Sequence, residues 1–259
     1  MMAFQLDNNW QLSPIPGETG QSFIGIKNGE RAFIKKNTTP LLASLAKEYI
    51  TPRLLWTKRL PNGDILSAQE WLDGKILSAD EVVNYIEIPE ILSQLHNSST
   101  LLSMCQKINV SVKGPEAIYN EFVMKADLRL LNNQYLTKII EELRDFPEFD
   151  EHHFSVIHGD VNHRNWVISG TRIYLVDWDS VCISDRLVDI SYLLTHYIEE
   201  KYWKHWFYAY GKNLNQYVYK DFIWYAQMNF LNLIHQFYEE KDHFRFNREI
   251  ALLKKLRRE

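Results

Sequence analysis

The stretch VIHGDVNHRNWVISGTRIYLVDWDS, residues 156–180, decides how the rest of the chain is read. Two short apolar runs, WVIS and RIYLV, lie on either side of Gly170 and predict a pair of strands with polar groups held at their ends. Asp160 stands ahead of the pair, Asn165 follows five positions later, and Asp177 ends the second strand twelve residues after that.

Phosphoryl transfer is mainly a problem of positioning and charge neutralisation. It needs a carboxylate to accept a hydroxyl proton and oxygen ligands to hold magnesium against the phosphates. Asp160 suits the first role, and Asn165 and Asp177 suit the second. Protein kinases carry H-R-D, four residues and Asn, then D-F-G. This chain has His158, Gly159 and Asp160, four residues and Asn165, then Asp177, Trp178 and Asp179. The pattern resembles the catalytic centre of the aminoglycoside phosphotransferase and choline/ethanolamine kinase superfamily, relatives of the protein kinases. That resemblance implies ATP and Mg2+ as cofactors and a small hydroxyl-bearing acceptor. It also implies that His158 orients the catalytic loop and that Asp189, in LVDIS, holds the loop backbone through hydrogen bonds. In FIKKNTTP, LLWTKRLPNGDILSAQEWLDG and NHRNWVIS the chain is further similar to a branch from Gram-positive bacteria called YtmP-like or CcrZ-like. The branch implies a link to cell-cycle control, and hence a cell-division or replication protein as partner.

Such a centre calls for a lysine on an upstream strand, and RAFIKKN offers Lys35 and Lys36. Residues two apart on a strand share a face, so Lys35 projects beside Phe33, a ring suited to stacking on adenine, whereas Lys36 goes with Ala32 and Ile34. Lys35 is the expected phosphate ligand. Its ion-pair partner is expected on the following helix, where Glu48 is the only carboxylate. Gly17, Glu18, Thr19 and Gly20 precede the first hairpin, where a loop can lay backbone N–H groups over phosphates, although two glycines three apart also describe an ordinary turn. QEWLDG resembles the family's connection between lobes, which implies that Glu70 C=O and Leu72 N–H meet the adenine edge.

SFIGIK and RAFIKK, joined through Asn28 and Gly29, predict a hairpin whose turn accepts positive φ. Thr39 and Pro40 open a helix expected to run to about Tyr49, before Pro52. RLLWTKR and DILSAQEW, separated by Pro61, Asn62 and Gly63, predict a second hairpin. After Asp73 and Gly74, Ser78 and Glu81 form a capping-box signature. Helical patterns follow through IPEILSQLH, PEAIYNEFVMKADL and NNQYLTKIIEELRDF, and again from about Leu187, where Trp and Tyr recur at helical spacing as expected core. The expectation is an α+β, two-lobed protein-kinase-like fold. Residues 1–73 form a nucleotide-binding lobe with a small antiparallel sheet and one helix, and residues 74–259 a mainly helical catalytic and substrate-binding lobe.

The 259 residues, 46% of them hydrophobic, suffice for two modest cores. A net charge of -4 gives no basic field for nucleic acid, and the basic cluster of Lys254, Lys255, Arg257 and Arg258 reads as a solvated last helical turn. Cys105 and Cys182 suggest neither a zinc site nor a disulfide framework. The opening residues lack a signal-peptide pattern and no apolar run reaches the length of a membrane span, so a cytoplasmic protein is expected. Two rivals stand beside the phosphotransferase. A metal-dependent hydrolase would draw on His152, His153, His158, Asp160 and His163, yet it leaves Asn165, Asp177 and the upstream lobe without a purpose. A kinase-like scaffold that acts by binding a division or replication partner has no need of Lys35, Asp160, Asn165 and Asp177, all of which are present.

Overall fold

A computed structural model describes residues 5–6, 10–15 and 21–259. The chain forms two compact units. One is built from the chain up to Leu77 together with His163–Ser180, the other from Ser78–Asn162 with Val181–Glu259.

The first unit holds a six-stranded antiparallel sheet in the order β1-β2-β3-β4-β6-β5. Its strands are β1 (Gln5–Leu6), β2 (Trp10–Pro14), β3 (Ser22–Lys27), β4 (Glu30–Lys36), β5 (Leu54–Arg59) and β6 (Ile65–Glu70). The β3–β4 hairpin pairs Lys27 with Glu30, and its two turn residues, Asn28 and Gly29, take φ of 50° and 84°, the left-handed geometry that matches strand twist. Alternation then sorts β4: Ala32 and Ile34 enter a core with Leu12, Leu66 and Ala68, against which Trp10, Phe23 and Trp56 pack. Phe33 and Lys35 take the opposite face. Two strands more than the hairpins predict are present, because WQLSP is short, ends in proline and carries little periodic signal.

Helix α1 (Leu42–Lys47) is shorter than the sequence suggests. The Thr39 hydroxyl accepts the Leu41 N–H at 3.3 Å, but Pro40 and Leu41 form a turn ahead of the helix. Tyr49, at φ 58°, ends it before Pro52 is reached.

The segment 163–180 joins this sheet unit, whereas a boundary at residue 73 would set it with the helical lobe. Backbone bonds explain the difference. Strand β7 (Lys75–Ile76) pairs with β9 (Trp166–Ser169), which pairs with β10 (Arg172–Leu175); Leu77 N–H donates to Trp166 C=O and Leu175 N–H to Ile50 C=O, both at 2.9 Å. The approach at β7 admits only glycine at position 74, since a Cβ there would stand 2.5 Å from the Ile168 carbonyl oxygen.

The second unit is mainly helical. It contains the strand pair β8 (Ser155–Ile157) and β11 (Cys182–Ser184) and helices α2 (Glu87–Asn97), α3 (Ser99–Lys107), α4 (Pro115–Lys125), α5 (Leu128–Leu131) and α6 (Gln134–Glu142). It continues with α7 (Leu187–Tyr197), α8 (Trp203–Ala209), α9 (Gln216–Glu239) and α10 (His243–Arg257). The Ser78–Glu81 capping box forms, with the Glu81 carboxylate accepting both Ser78 donors at 2.9 Å, but it opens a 3-10 turn rather than an α-helix. Trp203, Trp206, Phe207, Tyr210, Phe222, Trp224, Tyr225 and Phe230 are buried, so the aromatic run is core, while Tyr208 and Tyr217 face solvent. The closing basic cluster is not simply solvated. Arg257 is largely buried and binds Glu142 of α6 and Gln227 of α9, tying α10 to both. Cys105 and Cys182 are free and buried, and burial pushes their thiols up to about 11 and about 12. Among the described residues no helix is long and apolar enough to cross a membrane.

Candidate active site

In the sheet unit the site is built around the end of β4. Lys35 is buried, and its Nζ donates to Asp177 Oδ1 at 2.6 Å and to Asp179 Oδ2 at 2.7 Å. Burial works to lower the Lys35 pKa, but the two carboxylates outweigh it and hold the ammonium above its ordinary value. Lys36, on the opposite face, reaches Asp64 in the second hairpin at 3.8 Å. The expected Lys35–Glu48 ion pair is not formed. Glu48 is the C-cap of α1, one residue before the chain turns left-handed, and the β9–β10 hairpin brings two nearer carboxylates to the lysine.

The geometry of that hairpin aims the carboxylates. Asn165 is buried and its backbone C=O accepts Val176 N–H at 2.9 Å, which sets the start of β9 beside the residue before Asp177. Asp177 takes φ 65°, a left-handed conformation that Asp and Asn tolerate better than most residues and that recurs at functional positions. Trp178 is buried and its Nε1 donates to Leu175 C=O at 3.0 Å. With Trp178 anchored inward, Asp177 and Asp179 on either side stay half exposed and turn to one ammonium. The carboxylates of Asp177 and Asp179 are hard oxygen donors of the kind that suits magnesium.

Phe33 is half-buried on the Lys35 face. Glu70 ends β6 opposite Ala32, its carboxylate 3.3 Å from Arg53 Nε, and Leu72 lies in the link before β7. In that link Arg31 stacks over Trp71 at 5.3 Å and also binds Asp73, so the connection is fastened to β4. Gly17 and Gly20 lie outside the described residues.

In the helical unit the loop after β8 is held from beneath. The Asp189 carboxylate accepts His158 N–H at 2.8 Å and Gly159 N–H at 2.9 Å, and His96 Nε2 lies 3.2 Å from it. Gly159 takes φ 78°, which a side chain would strain. Asp160 N–H donates to His158 Nδ1 at 3.2 Å, leaving the Asp160 carboxylate exposed, with Asn162 Nδ2 donating to it at 2.6 Å. Asp160 therefore rides on a fixed backbone with its side chain available to solvent.

Residues 36–222 match the sequence profile of the phosphotransferase enzyme family, APH. The chain belongs to this family. Its kinase-like fold is shared with three solved phosphotransferases at low identity. The choline kinase LicA from Streptococcus pneumoniae superposes with a TM-score of 0.63 at 13% identity, over 94% of this chain and 93% of that one. A choline/ethanolamine kinase family protein from Mesorhizobium loti gives 0.66 at 15%, over 96% and 89%. The spectinomycin phosphotransferase APH(9)-Ia, solved with ADP and spectinomycin, gives 0.66 at 13%, over 95% and 88%.

Within this APH-family chain, two residues of the site escape the sequence pattern. Asp179 is visible only as the second carboxylate of DWD, two positions from Asp177, a spacing that becomes meaningful once Trp178 is known to be buried. His96 lies on α2 and has no local signal at all, since its partners Asp189 and Tyr210 come from α7 and the end of α8. Two of the four histidines that suggested a metal-dependent hydrolase have other partners: His153 binds Asp150 in a surface turn, and His158 Nδ1 accepts the Asp160 N–H. Among the described residues no three His, Cys, Asp or Glu side chains are grouped to hold a metal ion.

Proposed function

We propose that this APH-family protein is an ATP- and Mg2+-dependent phosphotransferase that moves the γ-phosphate onto a hydroxyl of a small molecule. The observation that carries this reading is the convergence of Asp177 and Asp179 on the buried Lys35 ammonium. A cation for phosphate and carboxylates for a metal are thereby set within one hydrogen bond of each other, the pairing that a metal-bound triphosphate requires. Magnesium, when bound, supplies charge neutralisation at the phosphates. Asn165 and Asp177 are its ligands, Lys35 binds phosphate oxygens, Phe33 stacks on adenine, and Glu70 C=O and Leu72 N–H meet the adenine edge. Asp160 aligns the acceptor hydroxyl and takes its proton, and His158 and Asp189 keep its loop in place.

A small acceptor fits the short segment between Asp177 and Asp189. Eleven residues, Trp178 to Val188, separate Asp177 from Asp189, and they are consumed by a 3-10 turn, β11 and the start of α7, which leaves no platform for a peptide. A nucleoside or sugar-like hydroxyl ranks above choline or ethanolamine. Tyr192 of α7 has one ring face stacked on His196 at 4.4 Å and is hydrogen-bonded to Tyr197, so these rings pack on one another instead of forming an open cage for an ammonium head group. Incubation with ATP, Mg2+ and a panel of sugars, nucleosides, amino alcohols and a generic protein, followed by mass spectrometry of the products, tests the reading. A phosphorylated sugar or nucleoside is expected, and faster transfer to protein than to every small alcohol would overturn it.

A further inference from the structure

The helical unit contains a cavity of about 680 Å³ where the turn at Glu200–Tyr202, the start of α8, the start of α9 and the end of α10 come together. None of its lining residues lies on the loop that carries Asp160, on α2 or on α7. Its volume is that of a pocket for a small ligand.

The cavity has an aromatic wall and a cationic rim. Trp203 is buried, its Nε1 donates to Ile198 C=O at 2.9 Å and its ring packs on Phe222 at 4.9 Å, so the indole is fixed in place. Tyr219 packs on the same Phe222, and Leu214 completes the wall. On the rim stand Lys201, Lys204 and Arg258, with Glu200 the one carboxylate among the lining residues. This is a local excess of positive charge in a chain whose net charge is -4.

Those cations are available to an anion. Arg258 reaches Glu200 at 3.1 Å and Lys201 reaches Glu199 at 2.8 Å, but all four side chains are more than half exposed, and such pairs contribute little. The exposed side chains of Lys204 and Gln216 have no hydrogen-bond or ion-pair partner among the described residues. The start of α9 is already satisfied, since Asn215 Oδ1 accepts the Tyr217 and Val218 N–H groups, so recognition of charge falls to the rim side chains. A phosphate gains more from Lys and Arg than an exposed carboxylate does, because it offers more oxygens to charge-assisted hydrogen bonds. A planar base suits the aromatic wall, and an amide can both donate to its edge and accept from it.

We propose that this cavity is a second ligand site, for a nucleoside monophosphate: Lys204, with Arg258 and Lys201, takes the phosphate, the base lies against Trp203, Leu214 and Tyr219, and the Gln216 amide meets the base edge. The site is defined by the cavity alone and is independent of the phosphotransferase reading.

Isothermal titration of the full chain with UMP and with AMP tests it. Lys204→Glu and Arg258→Glu are each expected to weaken binding of the tighter of the two about tenfold or more. Lys241→Glu reverses a charge beyond the far end of α9, a helix about 36 Å long, and is expected to change affinity by less than about twofold. Lys35→Met, or Lys35→Gln should the first melt below assay temperature, is likewise expected to stay within about twofold, because the β4 lysine does not line the cavity. Inorganic phosphate and the free nucleoside are each expected to bind at least about tenfold more weakly than the nucleotide, since each uses only the rim or only the wall. Melting curves check that every variant is folded. Binding of neither nucleotide, affinity unchanged in Lys204→Glu, an equal loss in Lys241→Glu, or a loss found in the Lys35 variant instead overturns the site. Inorganic phosphate or nucleoside binding as tightly as the nucleotide overturns the assignment of its ligand.

Discussion

His96 and Asp189, 93 positions apart, meet inside the helical unit with Nε2 3.2 Å from Oδ2, both side chains almost wholly buried. The same carboxylate carries the backbone of His158 and Gly159, so a contact between α2 and α7 fixes the loop that bears Asp160. His96→Ala removes that partner and also the one hydrogen bond joining His96 Nδ1 to the Tyr210 hydroxyl at 2.9 Å. Leaving the buried Asp189 carboxylate short of one hydrogen-bond partner costs about 3 kcal/mol, which for a chain of this length lowers the melting temperature by about 6–12 °C. Differential scanning fluorimetry reads the change, and a fall of less than about 2 °C would show that the pair contributes little.

The pH dependence of stability follows from the same carboxylate. Burial alone would push the Asp189 carboxyl up, but the hydrogen bond and charge of His96, with His158 adding to them, hold it below the usual carboxylate range. A group lowered in the folded state contributes stability that is fully present above its unfolded pKa of about 4 and is lost as the pH falls through the lower folded value. Wild-type melting temperature is therefore expected to drop steeply below about pH 4, and Asp189→Asn, less stable at neutral pH, should lose less on acidification. Parallel curves for the two proteins across that range would contradict the assignment.

Lys35→Ala and Lys36→Ala remove the same charge from opposite faces of β4. Lys35 is buried against Asp177 and Asp179, whereas Lys36 has a 3.8 Å contact with Asp64. The first substitution is expected to lower kcat/KM for ATP by about a hundredfold or more and the second by less than about threefold. Equal losses would mean that the face assignment does not govern nucleotide use.

Magnesium-dependent nucleotide binding separates Asp177 from Asn165. Asp177→Asn is the informative variant, because asparagine also accepts the φ of 65° at this position and the change removes charge without straining the backbone. Isothermal titration with ADP and increasing Mg2+ is expected to show a larger loss of Mg2+ dependence for Asp177→Asn than for Asn165→Ala, since a carboxylate is the stronger ligand. Mg2+ titrations that match wild type in both variants would exclude them as ligands.

Much of this site was legible in the order of residues because strand alternation and hairpin length are local properties. The hairpin of Trp166–Ser169 and Arg172–Leu175 follows from two apolar runs about Gly170, and the separation of Lys35 from Lys36 follows from the two-residue repeat of β4. What was not legible depends on distant packing. Glu48 sits on a helix that Tyr49 cuts short by a left-handed turn, an outcome no propensity of tyrosine announces, so its expected lysine went to Asp177 and Asp179 instead. The N-terminal strands were hidden for a different reason, since a two-residue strand and a five-residue strand ending in Pro14 carry almost no periodicity.

Asp160→Asn isolates the chemical step. The loop that carries it is fixed through His158 and Gly159 to Asp189, and the Asp160 backbone N–H is held by His158 Nδ1 at 3.2 Å, bonds that are made by backbone groups and so persist when the Asp160 side chain is changed. The carboxylate is exposed and takes a hydrogen bond from Asn162 at 2.6 Å, a contact that an asparagine oxygen can also accept. The substitution should therefore leave melting temperature and ADP affinity close to wild type. What it removes is the acceptor for the hydroxyl proton, and general-base catalysis of that kind contributes about 10²- to 10⁴-fold. Once an acceptor has been found, kcat is expected to fall by that range with KM for ATP little changed. Retention of most of the wild-type kcat would show that another group takes the proton, and a parallel loss of ADP binding would show that Asp160 acts on the nucleotide rather than on the acceptor.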